Sequence, residues 1–251
     1  MKLFTKTLIA TALLASGANL AWAQDTTTDK VDPSDLTSVN TSGYVGMNNQ
    51  GDVKVSASLG FGLDNGQMAM GTLEGTLDND GKYKDSRAQY YHVFNTGNRI
   101  APKAAASLDI IDNTNFTTAA VGAISMINPG VENFVMFGRV GVLAGQYDEG
   151  FTKAMGETDQ DIVGGMAAAY FSWKPGADGT YLMFSPEYTY MDGSIETSTL
   201  KTSLTVGTPL SADGKRWGQF KLENTYGSME SSKVNIDIDD TVAWAFYKVY
   251  F

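Results

Sequence analysis

The sequence predicts an all-β fold, a closed antiparallel barrel of about twelve strands, with ten or fourteen strands also compatible with the pattern. Two observations lead to this prediction. From residue 41 onward, segments of about 8 to 16 residues alternate apolar and polar side chains. Clusters of Gly, Asn, Asp and Pro separate these segments, and no helical periodicity follows residue 23. Strands in regular succession are typical of barrels and sandwiches.

The clearest strands are 53–63 and 68–77, which a short Asp-Asn-Gly turn joins into a hairpin. In the first of them Val53, Leu59 and their apolar neighbours share one face, and Lys54 and Ser56 share the other. Strands 86–95, 116–128 and 162–173 show no decisive facial preference. The other predicted strands are 41–48, 103–111, 132–147, 180–191, 195–207, 216–227 and 240–251.

The amino terminus has the composition of a secretory signal peptide over residues 1–23. Lys2 and Lys6 precede an uncharged apolar stretch, and Ala21 and Ala23 provide the small residues of an A-x-A cleavage site. We expect cleavage near Ala23. The polar residues 24–40 then predict a flexible periplasmic lead-in, and residues 41–251 form the barrel.

Charge and composition exclude several classes of function. The 18 Lys and Arg against 28 Asp and Glu give a net charge of -10, which argues against nucleic acid as a partner. The chain contains no Cys and only one His, so we expect no thiolate metal site, no other metal site and no cofactor. Outside the first 23 residues no apolar run approaches the roughly 18 residues of a membrane helix.

The last strand decides between a sheet that buries its apolar face and one that turns it toward lipid, which alternation alone leaves open. One face of this strand carries apolar or aromatic residues at alternate positions, up to the final Phe: Ala243, Ala245, Tyr247, Val249 and Phe251. This pattern resembles the carboxy-terminal signal of Gram-negative outer-membrane β-barrels. Val249 departs from the Tyr that is common at that position.

The resemblance implies insertion by the barrel-assembly machinery into the cell outer membrane, with lipid and lipopolysaccharide as neighbours. Closure of the sheet agrees with this location, because only a closed barrel satisfies every backbone polar group of a β-sheet within lipid. The chain is therefore expected to be a porin-like transmembrane β-barrel. A secreted soluble barrel that binds a ligand stays an alternative, because its strands would alternate too.

With the apolar face toward lipid, the opposite face would line the barrel interior. Its charged residues are Lys54, Glu74, Lys103, Asp109, Arg139, Glu187, Lys201, Lys221, Glu223 and Lys248. The excess of basic groups predicts a narrow channel for passive diffusion of small polar solutes, with a weak anion preference. A non-conducting structural or recognition barrel, such as an adhesin or phage receptor, is the alternative, because twelve strands permit a pore without requiring one. The acidic loop from Asp148 to Asp161 fits either a gate or a partner contact.

Enzymatic activity is not expected. His92 is the one imidazole, and no Ser adjoins it in its segment YYHVFN. Hydrolases of the outer membrane generally combine a His with a Ser or with carboxylates. An amphipathic His between aromatic residues suits an anchor at the membrane interface instead.

Overall fold

The computed structural model describes residues 31–251, which form a closed barrel of twelve antiparallel strands and one short helix. The strands are β1 (Ser42–Asn48), β2 (Val53–Gly62), β3 (Met68–Leu77), β4 (Tyr83–Asn95), β5 (Lys103–Asn113), β6 (Phe116–Ile127), β7 (Phe134–Tyr147), β8 (Asp161–Trp173), β9 (Tyr181–Gly193), β10 (Glu196–Pro209), β11 (Arg216–Glu230) and β12 (Asn235–Tyr250). Helix α1 (Glu149–Ala154) lies between β7 and β8. The predicted fold class and strand number are confirmed. The predicted signal peptide lies outside the described residues.

The barrel closes through the pairing of its first and last strands. β1 pairs antiparallel with β2 on one side and with β12 on the other, and Ser42 lies opposite Tyr250. Every other strand pairs with its two neighbours in the sequence. Closure removes the free edges of the sheet, so that the ladders satisfy the backbone groups within the strands.

The two faces of the sheet differ in polarity as the alternation predicted. Leu59, Leu73 and Val140 point outward and are 53%, 56% and 62% exposed. The side chains of Lys54 and Glu74 lie inside the barrel, where only 22% and 19% of their surface is exposed. An apolar exterior around a polar interior is typical of barrels that contact lipid. A soluble barrel with its apolar face inward does not fit this arrangement.

Several elements differ from the sequence-based boundaries, and the last hairpin and a short helix are the most informative. β11 and β12 are longer than predicted, and the turn between them comprises residues 231–234. The acidic run at 237–240 therefore belongs to a strand, although its composition is typical of a loop. Helix α1 follows Asp148, whose side chain accepts hydrogen bonds from the backbone N–H groups of Gly150 and Phe151. A helix of six residues is too short to produce a periodic pattern. No helix in the described part of the chain is long and apolar enough to span a membrane.

The barrel has two ends, which we call the near mouth, where β1 begins and β12 ends, and the far mouth opposite. Residues 31–40, the N-terminal segment, lie in the near mouth and contact the inner face of the barrel. Ser34 and Thr37 are fully buried there. The prediction of a flexible lead-in is therefore wrong for residues 31–40. Their polar side chains find partners within the segment and on the barrel wall, which the composition alone does not reveal.

Candidate functional site: the charged belt inside the barrel

Ten charged side chains surround the barrel interior, and we call this group the charged belt. Its members are Lys54, Glu74, Arg87, Asp109, Arg139, Glu187, Lys201, Lys221, Glu223 and Lys248. The pairing register places all of them on the same face of the sheet. The belt also extends across the bore, because Glu187 lies within electrostatic reach of Arg87, and Glu223 within reach of Lys54.

The ten residues predicted to line the interior all lie on the inner face. Nine of them belong to the charged belt. Lys103 lies at the near mouth instead, where its Nζ is 3.0 Å from the carboxylate of Asp35 in the N-terminal segment. Whether these residues line a path for solutes is part of the proposal below.

Arg87 is the belt residue that sequence reasoning missed. Its strand shows no facial preference, and the pairing of β3 with β4 contains a register shift between Thr76 and Leu77. Because side chains alternate with period two, one extra residue moves all following side chains to the other face. Counting forward along β4 from the preceding turn without this bulge would place Arg87 on the outer face, whereas the structure places it opposite Glu74.

Asp109 is the most buried carboxylate of the belt, with 2% of its side chain exposed. It accepts hydrogen bonds from Arg87 Nε at 2.8 Å, from Arg139 Nη2 at 2.8 Å and from the amide of Gln89. Arg139 is on β7 and Asp109 on β5, so this contact passes over β6. Ala120 lies opposite Asp109 on β6, and its small side chain leaves room for the guanidinium. Two cations thus share one anion on this part of the wall.

The other ion pairs of the belt are more accessible. Lys201 Nζ is 3.0 Å from Glu187, and Lys54 Nζ is 3.2 Å from Glu74. Lys221 pairs with Glu223 on its own strand. Between 19% and 40% of the surface of these six side chains is exposed. These ion pairs are therefore less enclosed than the Asp109 cluster.

Lys248 lies beside two aromatic rings. Its Nζ lies 5.1 Å from the ring centre of Tyr250 and 5.9 Å from that of Tyr44. Within the range the structure describes, no carboxylate forms an ion pair with Lys248. Aromatic ring faces attract cations at such distances. The belt as a whole holds six basic and four acidic groups, so that its net charge is positive.

A cluster of apolar side chains covers part of the far mouth. Met155, in the segment after α1, packs with Tyr147 and Ile195. The turn at 231–234 holds this segment, since Ser231 Oγ donates to the Met155 carbonyl at 2.7 Å and Lys233 Nζ donates to the Gly156 carbonyl at 2.8 Å. The acidic loop predicted at 148–161 is therefore folded against the barrel end.

Asp52 forms a second polar contact at the far mouth, in the turn between β1 and β2. Lys84 Nζ lies 2.6 Å and Asn48 Nδ2 lies 2.8 Å from its carboxylate. Burial raises the pKa of Asp52, but the hydrogen bonds from Lys84 and Asn48 outweigh it and hold the pKa below its usual value. Asp52 is therefore ionised and links the β1–β2 turn to β4.

His92 lies on the outer face, near the near mouth. Its Nε2 is 2.6 Å from Gln67 Oε1, and its Nδ1 is 3.2 Å from the Tyr90 hydroxyl. The hydrogen-bond partners of His92 are therefore an amide and a phenol. The residues of the predicted assembly signal, Ala243, Ala245, Tyr247, Val249 and Phe251, occupy the outward positions of β12 and the residue after it.

Comparison with known proteins identifies solved structures that share this fold. No protein-family model matches the sequence, and no curated protein matches it. Solved structures do match. An outer-membrane channel of the COG4313 group from Pseudomonas putida F1 has a TM-score of 0.62 and 12% sequence identity, and the match covers 88% of this chain and 100% of that one. The NanC porin (TM-score 0.59, 7% identity) and the KdgM porin (TM-score 0.52, 8% identity) each match over 84% of this chain and 99% of their own. The chain has the fold of outer-membrane porins. At these identities the comparison shows the fold and leaves the solute open.

Proposed function

We propose that the chain is a channel of the Gram-negative outer membrane that passes small polar solutes by passive diffusion, with a weak preference for anions. The charged belt is the observation that carries this proposal. Six basic and four acidic groups surround an interior in which the ion pairs keep up to 40% of a side chain exposed. Charges that face a narrow aqueous passage favour ions of the opposite sign.

The fold supports the same function. An apolar outer face with Leu59, Leu73 and Val140 exposed suits contact with acyl chains, and the closed ladder suits a medium without water. The porins named above share this architecture. In this proposal, lipid and lipopolysaccharide surround the barrel, and the barrel-assembly machinery recognises β12.

Conductance of the purified protein in planar lipid bilayers tests the proposal. We expect discrete conductance steps, and in a KCl gradient a reversal potential of the sign that anion preference produces. Lys221→Gln should lower this preference and Glu223→Gln should raise it, most strongly at low salt, where screening is weakest. Lys82→Gln is the matched control, because it removes the same charge from an exposed turn outside the belt.

A non-conducting recognition barrel is the second candidate, and the N-terminal segment in the near mouth favours it. Folded protein that stays silent in the bilayer, also after removal of residues 31–40, would support this candidate over the channel. A conducting variant without the segment would support the channel.

A further inference from the structure

The N-terminal segment crosses the bore of the near mouth. Leu36 packs against two separate groups of inner-face residues. One group comprises Val93, Ala105, Ile124 and Phe137 on β4 to β7, and the other comprises Tyr181, Met183, Trp217 and Tyr250 on β9, β11 and β12. The two sets of strands lie on either side of β8, whose Tyr170 packs against both groups. Leu36 therefore lies inside the near mouth, between these two groups of the wall.

The segment is a compact unit with its own hydrogen bonds. The hydroxyl of Ser34 donates to Asp32 Oδ1 at 2.6 Å, and the hydroxyl of Thr37 donates to Asp35 Oδ1 at 2.5 Å. Backbone bonds from Asp35 to Asp32 and from Ser38 to Asp35 add two tight turns. Because the hydroxyls of Ser34 and Thr37 are satisfied within the segment, these two groups keep their hydrogen bonds if the segment leaves the wall.

Two ion pairs attach the segment to the wall. Asp35 pairs with Lys103 at 3.0 Å, and Asp32 pairs with Lys174 at the end of β8. The two Lys side chains are 30% and 31% exposed. Ion pairs with this access to water are weak and sensitive to salt. The ion pairs are therefore the part of the attachment that salt can weaken, beside the apolar contacts of Leu36.

Gly60 on β2 provides the place where the segment enters the wall. A Cβ at this position would lie 2.7 Å from Val39 Cγ1 and 3.0 Å from the backbone of Asn40. The absence of a side chain thus allows the backbone before β1 to lie directly on the inner face.

From these contacts we propose that residues 31–40 are a gate, which closes the near mouth while seated and opens the passage when its two ion pairs are released. The gate rests on the proposed channel function and adds its regulation. Conditions that weaken ion pairs, such as high salt on the side of the near mouth, favour the open state.

Thiol labelling measures the position of the gate without any need for conduction. The chain contains no Cys, so Ser34→Cys introduces a single thiol at a fully buried position. A charged maleimide should modify it slowly in the otherwise native barrel. Adding Lys103→Gln and Lys174→Gln should increase the labelling rate about tenfold, as expected from the loss of two partly exposed pairs. Adding Lys82→Gln instead, the matched control, should leave the rate unchanged.

Conductance then tests whether the movement opens the passage. The variant with Lys103→Gln and Lys174→Gln should show larger or more frequent conductance steps than native protein. Conversely, a short bifunctional thiol reagent that bridges Asp35→Cys and Lys103→Cys should hold the segment in place. The bridged protein should then show smaller or less frequent conductance steps. Treating the single variant Lys103→Cys with the same reagent controls for its direct effect. For each variant, the mobility of the unheated protein in a denaturing gel verifies that the barrel is folded.

The outcomes separate the two proposals. Equal conductance in bridged and unbridged protein, both conducting, refutes the gate and leaves the channel intact. Rapid labelling of the Ser34→Cys variant without any Lys substitution also refutes the gate, because a seated segment protects that position. If no variant conducts although the labelling rate responds to the Lys substitutions, the channel function is refuted, and the gate is refuted with it.

Discussion

Replacing Asp109 by Asn tests how the charged belt is held together. The substitution preserves the shape of the side chain and leaves Arg87 and Arg139 without their shared anion. Removing one partner of a buried ion pair costs about 3–5 kcal/mol, because the other charge stays buried without compensation. Arg139 is 7% exposed, whereas Arg87 is 33% exposed and can turn partly toward water. We therefore expect a loss near the lower limit, about 3 kcal/mol in the free energy of unfolding.

Urea unfolding of the barrel in lipid vesicles, followed by tryptophan fluorescence, measures this loss. Glu187→Gln is the matched control, since it removes a carboxylate whose partner Lys201 is 40% exposed. The control substitution should lower the free energy of unfolding by less than about 1 kcal/mol. If Asp109→Asn and Glu187→Gln lower the free energy of unfolding equally, burial does not make the Asp109 ion pairs more important for stability than the exposed pairs, and the reasoning is refuted. Adding Arg139→Met to Asp109→Asn should recover part of the loss.

Three further predictions concern the exterior, a close contact and a turn. Val140→Arg on the exposed outer face should destabilise the barrel in vesicles by about 2–4 kcal/mol, measured by the same urea titration. Gly46→Ala should cost about 1–3 kcal/mol, because a Cβ there would lie 2.1 Å from the ring of Phe246; unchanged stability would show that the ring moves freely. The lowered pKa of Asp52 means that its contribution to stability is present above the usual carboxyl pKa and is lost as the pH falls through the lower folded value. Asp52→Asn should therefore reduce the acid dependence of unfolding in this range.

The fold was predictable because alternation is a local property. The series from Lys54 to Leu59 shows which residues share a face without knowledge of the partner strand, and the same holds for β10 and β12. The ten predicted interior residues lie on the inner face for this reason.

Features that depend on pairing between distant residues were not predictable. Arg87 escaped because a bulge changes the register of β4, and a bulge leaves no mark in the composition. Residues 24–40 were predicted to be flexible because they contain Pro33 and four Asp with little apolar content, and the N-terminal segment belongs to this range. The side chains that hold it, Lys103 and Lys174, are far away in the sequence. Its burial is a property of the closed barrel and not of the segment.

The seam between β1 and β12 also constrains how the molecule is made. Ser42 and Tyr250 come from the two ends of the sheet, and their ladder can form only after the eleventh hairpin has been synthesised. Until then both outer strands present unpaired backbone groups, which favour aggregation. Contacts of such long sequence separation also form slowly. We therefore expect a long-lived open intermediate, in which a helper that shields these two edges determines the yield of finished barrels.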